Sequence, residues 1–229
     1  MVSRHVVVTD INRAEASLID GLGRAGTATV HEAIGRRGYL GPEIKAIQSD
    51  IRIGGSAVTV SCHPGDNLMI HAAVEVCQPG DVLVVTTTAP STHGMFGDLL
   101  ASSLMARGVR GLVMDAGVRD VVDLRAMGFA VWTRHVSCEG TVKATPGSVN
   151  VAITVGGAII EAGDVVCGDD DGVVVVPRLE AEWALAQSNT RLAKEEDSRT
   201  RLEAGELGLD MYGLRDKLVQ LGVEWVNGV

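Results

Sequence analysis

The 229-residue sequence is poor in aromatic side chains, with two phenylalanines, two tyrosines and three tryptophans. Its core must therefore consist mainly of Val, Leu, Ile and Ala, and an apolar content of 46% is sufficient for one. A run of 18 apolar residues is missing, as is an N-terminal apolar segment typical of a signal peptide. These absences predict a cytoplasmic protein with no membrane partner.

Cysteine is also scarce, and its four positions are widely spaced with no CxxC pair: Cys62, Cys77, Cys138 and Cys167. This spacing argues against a disulfide framework or a structural zinc site and favours buried thiols. The chain has no excess of basic residues, because 29 Asp and Glu outnumber 20 Lys and Arg, giving a formal charge of −9. Such a balance argues against a non-specific nucleic-acid surface. An anionic small molecule stays possible, since local charge decides its binding.

The fold class follows from alternating strand and helix patterns. Strands are predicted at Ile51–Ser61, Val82–Thr87, Gly111–Asp115 and Ala130–Thr133, with helices after Pro64, Gly97 and Gly117. Strand, helix, strand is the repeating unit of an α/β sheet covered on both faces. A short strand at Val6–Thr9 is also predicted.

Several local features have structural interpretations. Gly54-Gly55 indicates a bend or bulge in its strand. Thr29 and Glu32 fit a capping box, and Asp66 or Asn67 is a plausible N-cap. His63 and His71 stand eight residues apart, which is a weak spacing for a zinc pair.

The pattern changes after residue 137. Short strands and turns run to Pro177, and Asp169–Gly172 is typical of a hairpin turn rather than a calcium loop. A charge-rich helix is predicted over Glu180–Glu203 and an amphipathic one over Asp210–Leu221. We therefore predict an α/β catalytic domain over residues 1–177 and a helical arm over 178–229 that packs on a neighbouring subunit.

The stretch from Gly94 to Asp120 holds the candidate site. Two predicted junctions, at Gly97-Asp98 and Arg119-Asp120, flank one buried strand and should lie at the sheet edge where α/β folds place ligands. Each carboxylate alone has a structural interpretation, because Asp98 would complement a helix dipole and Asp120 would cap a helix. Together, beside Arg119, they suit a hard cation held mostly by water.

The backbone offers a second feature of this site. The N–H groups of Gly97, Asp98, Leu99 and Leu100 open a helix and could bind a substrate carboxylate. Arg119 presents a flat fork for a carboxylate and a permanent charge for an enolate oxygen, although it could equally form a surface ion pair.

At these residues the sequence resembles the RraA-like family. The segments carrying the resemblance are FGDLLASSLMARG, GLVMDAGVRD, TATVHEAIGRRG, GGSAVTVSCHPGDN, GTVKATPGSVNV, GDVVCGDDDGVVVVP and AGELGLDMY, which together span nearly the whole chain. The chain is most similar to the divalent-metal 4-carboxy-4-hydroxy-2-oxoadipate / 4-hydroxy-4-methyl-2-oxoglutarate aldolases of bacterial aromatic-acid degradation. The resemblance implies a layered α/β/β/α sandwich of the swivelling-domain type, with a C-terminal helical arm, assembled as a homotrimer or homohexamer.

The resemblance also implies residue roles. Asp120 would ligate Mg²⁺ or Mn²⁺ directly, and Asp98 would hold metal-bound water. The backbone from Gly97 to Leu100, including Asp98 and Leu99, would bind the pyruvyl carboxylate, and Arg119 would contact the keto oxygen. A glutamate from a neighbouring subunit's C-terminal helix would orient water near the metal. Glu195 is the first candidate and Glu196 the second, although Arg191 and Arg199 could pair with Glu195 along the helix.

The implied activity is metal-dependent retro-aldol cleavage of a 4-hydroxy-2-oxo acid to pyruvate, with oxaloacetate decarboxylation as a side reaction. A Schiff-base route would need a desolvated lysine, and Lys143 lies outside the central stretch. The alternative is a non-catalytic RraA-like regulator that binds and inhibits a ribonuclease. A methyltransferase is a weaker option, because no glycine-rich strand-to-helix loop followed by an acidic residue is present.

Overall fold

The computed structural model describes residues 5–228. It divides into two compact units, Met1–Ser188 and Asn189–Val229. The division falls inside the long C-terminal helix, whereas the predicted domain boundary lies before that helix. None of the described helices is long and apolar enough to cross a bilayer.

The first unit is built on a nine-stranded sheet with the main order β1-β6-β5-β3-β2-β10-β11, on which β4 pairs with β5 and β7 with β2. Its strands are β1 (Lys45–Ala46), β2 (Arg52–Cys62), β3 (Asp81–Thr87), β4 (Gly94–Phe96), β5 (Gly111–Val118), β6 (Ala130–Val136), β7 (Ser148–Val149), β10 (Val165–Asp169) and β11 (Gly172–Val176). A separate hairpin joins β8 (Ile153–Val155) to β9 (Ala158–Ile160).

Helices cover the sheet in the first unit: α1 (Ala16–Ala25), α2 (Thr27–Ala33), α3 (Leu68–Val76), α4 (Asp98–Met105) and α5 (Val121–Ala126). One buried cluster packs α3, α4 and α5 against one face, and a second fills the opposite face around Trp132. The third packs α1 and α2 against β10 and β11. As expected from the scarcity of aromatics, Val, Leu, Ile and Ala dominate all three clusters. The predicted α/β class is confirmed.

Parallel pairing fixes the position of the candidate site. β2, β3, β5 and β6 run parallel, so their carboxyl ends lie at one edge of the sheet. The short β4 is parallel to the end of β5, with Phe96 opposite Val118. The chain therefore leaves both strands side by side, and the Arg119 N–H donates to the Phe96 carbonyl over 2.8 Å.

Several sequence predictions were wrong. Thr29 and Glu32 do not form a capping box, since both lie inside α2, and Glu32 pairs with Arg36. Val6–Thr9 forms no strand, only an isolated bridge at Val7. Gly54 and Gly55 continue a regular ladder with β10. They are required instead by close packing, because a Cβ on Gly54 would collide with the Ile19 carbonyl of α1.

The predicted Asp169–Gly172 turn is present, since it closes the β10–β11 hairpin. In α6 (Ala181–Glu203), the long predicted helix forms as expected. The predicted helix over Asp210–Leu221 is divided into α7 (Gly208–Met211) and α8 (Leu214–Gln220), because Gly213 between them is left-handed.

Candidate functional site

A cavity of about 150 Å³ opens where β4 and β5 end. Its walls include the sequence-predicted residues Asp98, Arg119 and Asp120, together with the Gly97–Leu100 backbone segment. We refer to this cavity as the β4–β5 cavity. The structure thus brings the two predicted junctions into one site, while the chemical role of each residue stays a prediction.

Asp120 is held in an unusual backbone conformation. It occupies the N-cap position of α5 with φ 56° and ψ 39°, the left-handed region that residues other than glycine seldom adopt. Its side chain makes no capping hydrogen bond, and its Oδ2 lies 3.3 Å from the Arg119 Nε. The carboxylate is therefore turned away from the ordinary capping role and is available to the cavity. Such outliers cluster at functional sites, where the surrounding structure offsets their cost.

Gly97 permits the close approach of Asp120. A Cβ at Gly97 would overlap the Asp120 Oδ2 and crowd the Arg119 side chain. The backbone of Gly97 is extended, so the glycine is needed for space rather than for an unusual φ. Any larger residue would displace the Asp120 carboxylate.

The first turn of α4 supplies hydrogen-bond donors. The first main-chain bond of this turn runs from the Ala101 N–H to the Gly97 carbonyl, and no side chain caps the helix. The N–H groups of Asp98, Leu99 and Leu100 consequently donate to no acceptor among residues 5–228. The partly exposed Asp98 carboxylate likewise makes no hydrogen bond within those residues. These groups can bind a carboxylate and a water molecule.

Four further polar residues line the cavity that sequence reasoning did not place there: Asn67, His71, Thr141 and Lys143. Asn67 and His71 lie at the start and on the exposed side of α3, whereas Thr141 and Lys143 lie on the loop after β6. Lys143 lies outside the stretch from Gly94 to Asp120 in sequence, but the structure places it at the cavity. Its side chain is exposed, however, whereas a Schiff-base route would need a desolvated lysine.

Asp66 fixes the loop that carries Lys143. The Asp66 carboxylate is buried and accepts hydrogen bonds from the N–H groups of Leu68, Ala144 and Thr145 over 2.9, 2.8 and 2.6 Å. Burial alone would raise the pKa of Asp66, but these donors outweigh that effect and lower it. The backbone of the same corner pairs with Val142. Local sequence patterns could not predict this contact, because Asp66 and Ala144 are 78 residues apart.

His71 is held toward its neutral form. Partial burial lowers its pKa, and the nearby Lys143 ammonium lowers it further. Lys143 and Arg119 supply the basic side chains of the cavity. The site therefore combines two carboxylates, two cations and a helix N-terminus.

The carboxylates define which metal the site would suit. Within residues 5–228 no three or more His, Cys, Asp or Glu side chains are grouped as a metal cage. Two carboxylates, Asp98 and Asp120, face one cavity. Mg²⁺ usually binds through one or two carboxylates and keeps several waters, whereas structural zinc takes four protein ligands. The donor set thus fits a hydrated Mg²⁺ or Mn²⁺ ion.

Glu195 and Glu196, the predicted glutamates, lie on α6 in the second unit. Glu195 Oε1 is 2.8 Å from Arg191 Nε, and Glu196 Oε2 is 3.6 Å from Arg199 Nε. Of the two helix ion pairs considered for Glu195, the one with Arg191 therefore forms, whereas Arg199 pairs with Glu196 instead. Their contribution to stability is small at such exposed positions.

A larger cavity of about 580 Å³ is lined by residues at the ends of β3, β5 and β6, including Asp115 and Arg134. The Asp115 carboxylate in this cavity already forms an ion pair, because its Oδ1 lies 2.6 Å from the Arg134 Nε. The β4–β5 cavity, where two carboxylates meet free backbone donors, is therefore the candidate site.

An α/β sheet with carboxylates, basic side chains and a helix N-terminus at its carboxyl edge is the kind of arrangement that can bind a small anionic molecule. The chain belongs to the RraA-like family, whose sequence model, described as Aldolase/RraA, matches residues 27–175.

Individual relatives agree with this assignment. A Halalkalibacterium halodurans protein named "Putative 4-hydroxy-4-methyl-2-oxoglutarate aldolase" is 28% identical over 88% of this chain and 96% of its own length. The crystal structure of Streptomyces coelicolor RraAS2, titled an unusual member of the RNase ES inhibitor RraA protein family, is 30% identical with a TM-score of 0.74. It covers 82% of this chain and 100% of that one. A Geobacillus kaustophilus structure titled S-adenosylmethionine: 2-dimethylmenaquinone methyltransferase is 28% identical over 62% of this chain and 86% of that one, with a TM-score of 0.57.

Proposed function

We propose that the protein is a divalent-metal-dependent (class II) pyruvate aldolase. Its substrates would be 4-carboxy-4-hydroxy-2-oxoadipate and 4-hydroxy-4-methyl-2-oxoglutarate, cleaved to pyruvate plus oxaloacetate or a second pyruvate in bacterial aromatic-acid degradation. The observation that carries the proposal is the convergence of Asp98, Arg119 and Asp120 with the free N–H groups of α4 on one cavity. The family membership and the named aldolase relative support it.

The site residues would bind and orient the substrate. Free N–H groups of Asp98, Leu99 and Leu100 would hold the C1 carboxylate, with Gly97 completing the turn. The Arg119 guanidinium would donate to the C2 keto oxygen. Asp120, with Asp98 nearby, would hold Mg²⁺ or Mn²⁺, which when bound supplies Lewis-acid polarisation of the substrate. Lys143 would face the distal carboxylates.

Cleavage then requires a base and an electron sink. Asp98 would orient the water molecule that takes the proton from the C4 hydroxyl. As that oxygen becomes a carbonyl, the C3–C4 bond breaks and its electron pair passes into the pyruvate enolate. Arg119 would stabilise the negative charge on the enolate oxygen. A proton added at C3 gives pyruvate. Loss of CO₂ from oxaloacetate produces the same enolate, so a side oxaloacetate decarboxylase activity would follow.

The test is pyruvate release from 4-hydroxy-4-methyl-2-oxoglutarate, coupled to lactate dehydrogenase, with and without EDTA. We expect activity that EDTA removes and added Mg²⁺ or Mn²⁺ restores. Asp120→Ala should lose nearly all activity, and Arg119→Ala should lose on the order of 10²–10³ in kcat. Arg125→Ala, at an exposed arginine outside the cavity, is the matched control. Activity in Asp120→Ala within about tenfold of the parent would contradict the ligand assignment.

The second candidate is a regulator that docks on a ribonuclease, favoured by the 30% identity to the RraAS2 structure. In that case pyruvate release would be absent on every 4-hydroxy-2-oxo acid, with or without metal. Substitution of Asp120 would then leave ribonuclease inhibition unchanged, since a regulator that only docks would need no metal ligand there. We do not propose a methyltransferase, although one similar structure carries that title. The sequence has no glycine-rich strand-to-helix loop of the kind that binds a nucleotide-like cofactor.

We further propose that the protein works as a homotrimer or homohexamer in the cytoplasm. The segment around Glu195, or alternatively Glu196, would pack on a neighbouring subunit and reach that subunit's β4–β5 cavity. A glutamate there would help Asp98 to orient water.

A further inference from the structure

Lys143 lines the β4–β5 cavity from a loop whose backbone is held on both sides. Before it, the Val142 N–H donates to the Gly65 carbonyl over 3.0 Å, and the Val142 carbonyl accepts from the Asn67 N–H over 3.1 Å. After it, the Asp66 carboxylate accepts the N–H groups of the next two residues over 2.8 and 2.6 Å. The side chain of Lys143 therefore extends from a fixed backbone position.

The ammonium group of Lys143 has no counterion in the described structure. The side chain is exposed, and within residues 5–228 it forms no ion pair and no hydrogen bond. An unpaired exposed lysine is ordinary in itself. This one, however, lies close enough to His71, another residue of the cavity wall, to lower the pKa of the imidazole, although burial is the larger cause. The ammonium is thus on the side of the loop that faces the cavity.

The other polar groups of the wall leave one need of the substrate unmet. The α4 N–H groups and Arg119 are proposed to hold the C1 carboxylate and the keto oxygen. The remaining polar side chains are two carboxylates and three groups that are neutral at pH 7, namely Asp98, Asp120, Asn67, His71 and Thr141. The carboxylates repel a further anion, and the neutral groups can offer it a hydrogen bond but no charge.

The proposed substrates carry such a further anion. Both 4-hydroxy-4-methyl-2-oxoglutarate and 4-carboxy-4-hydroxy-2-oxoadipate have a carboxylate on C4, at the end of the molecule opposite the pyruvyl carboxylate. With the first carboxylate and the keto oxygen held, this group has one basic side chain of the cavity wall left to meet, that of Lys143.

We propose that Lys143 is a specificity-determining residue whose ammonium group binds the carboxylate on C4. The site would then select 4-hydroxy-2-oxo acids with a second negative charge at C4 over acids with an alkyl group there. This inference rests on the proposed function and deepens it, because it names the property by which the site chooses among aldol substrates.

The experiment compares two acids that differ at one group. In 4-hydroxy-4-methyl-2-oxopentanoate a methyl group replaces the C4 carboxylate of 4-hydroxy-4-methyl-2-oxoglutarate, and cleavage of either acid releases pyruvate. The wild type should prefer the glutarate in kcat/KM. Lys143→Met should reduce this preference about tenfold, because a charge-assisted contact to one of the two acids is lost. Lys143→Arg keeps the charge and should keep most of the preference.

Lys45 provides a matched control. It is an exposed lysine of β1 without an ion pair within residues 5–228, and it does not line the β4–β5 cavity. Lys45→Met should therefore leave the preference unchanged.

Two further measurements separate a charge effect from a change in structure. The inhibitors 4-methyl-2-oxoglutarate and 4-methyl-2-oxopentanoate differ by the same group and are not cleaved, so their ratio of inhibition constants should shift as the preference does. This ratio also reports the contact if the wild type does not turn over the dimethyl acid. The wild-type ratio should shrink at about 1 M salt, where the Debye length is about 3 Å, whereas the Lys143→Met ratio should change little.

In a protein whose wild type is active, three results would overturn the Lys143 assignment alone: a wild type without preference between the paired acids, an unchanged preference in Lys143→Met, or a preference lost equally in Lys143→Arg. A wild type that releases no pyruvate from 4-hydroxy-4-methyl-2-oxoglutarate would overturn the proposed aldolase and this inference together. A preference that falls in Lys143→Met and persists in Lys143→Arg and Lys45→Met is the supporting result.

Discussion

Gly97 and Asp120 are in direct contact, and that contact has a testable consequence. Because a Cβ at Gly97 would overlap the Asp120 Oδ2, Gly97→Ala should displace the carboxylate and the adjacent Arg119. A shift of about 1 Å commonly costs on the order of 10² in rate, so we expect a loss of that size in pyruvate release. Gly140→Ala is the control, since a Cβ there meets nothing within 4 Å. Normal activity in Gly97→Ala would show that Asp120 does not need its present position.

The pair His71 and Lys143 gives a second prediction at this scale. Burial and the Lys143 ammonium both lower the pKa of His71. Lys143→Met removes the ammonium while keeping an apolar stem, so the pKa of His71 should rise toward its ordinary value of 6.5. The imidazole proton signals in an NMR titration measure it. Lys143→Arg keeps the charge and should leave the pKa low, and an unchanged pKa in Lys143→Met would place the ammonium elsewhere.

Residue by residue, the sequence predicts what is local. Asp98 and Asp120 could be found because each lies at a strand-to-helix junction, and parallel strands bring such junctions to one edge. Asn67 was interpreted as a possible N-cap, and Lys143 lies outside the stretch from Gly94 to Asp120. Both reach the cavity through contacts between segments about 75 residues apart, such as that of Asn67 N with the Val142 carbonyl. Local pattern carries no signal for contacts of that kind.

Among the elements, the segment 142–145 has no helix or regular strand and depends on Asp66 for its position. Asp66→Asn replaces an acceptor oxygen of the carboxylate by a donor opposite the Ala144 and Thr145 N–H groups. We expect a loss of about 2 kcal/mol in the free energy of unfolding at pH 7, measured by urea denaturation. Pyruvate release should fall as well, because Lys143 moves with the segment.

The pH dependence identifies the carboxylate as the cause. The pKa of Asp66 is lowered in the folded protein, so its contribution is present above the ordinary value of 3.8 and is lost as pH falls through the folded pKa. The difference between wild type and Asp66→Asn should therefore shrink below about pH 4. Asp123→Asn, at an exposed carboxylate on α5, should show no such loss. A difference that stays constant into acid would contradict this account.

The errors in the predicted bounds of helices and strands have identifiable causes. β5 was predicted over Gly111–Asp115 but continues to Val118, because an irregularity between Met114 and Gly117 lets it keep pairing with β6. The capping-box pattern at Thr29 and Glu32 was overridden by Asp169, whose carboxylate accepts from the Thr27 N–H at the true start of α2. In both cases a partner distant in sequence replaced the local signal.

At the scale of the whole molecule, the alternation of strands and helices sufficed for the fold class, and the quoted segments sufficed for the family. The mode of assembly could not be predicted in the same way, because a single sequence does not show which surface contacts a second copy of the chain. The second unit carries many exposed apolar side chains, including Tyr212, Leu221 and Trp225. Large exposed apolar patches mark protein interaction sites. If these side chains share one face, they would suit the predicted arm that packs on a neighbouring subunit.

A shared active site would make activity depend on two chains at once, and mixing inactive variants tests this. Asp120→Ala lacks the proposed metal ligand, and Glu195→Gln lacks the glutamate proposed to come from a neighbour while keeping its shape. Subunits of the two variants, unfolded together and refolded at equal amounts, should form some sites with an intact Asp120 from one chain and an intact Glu195 from another. Random assembly gives about a quarter of the sites in this state, so roughly a quarter of wild-type pyruvate release should return.

Each variant refolded alone should stay inactive, and a mixture of Asp120→Ala with Arg119→Ala is the matched control. Those two residues lie on one chain beside one cavity, so mixing them restores no complete site. If instead Glu195 serves the cavity of its own chain, every site in the Asp120→Ala and Glu195→Gln mixture carries a defect and activity stays absent. Glu196→Gln, mixed in the same way, decides between the two glutamates, because only the variant at the residue that reaches the neighbouring site is inactive alone and active in the mixture.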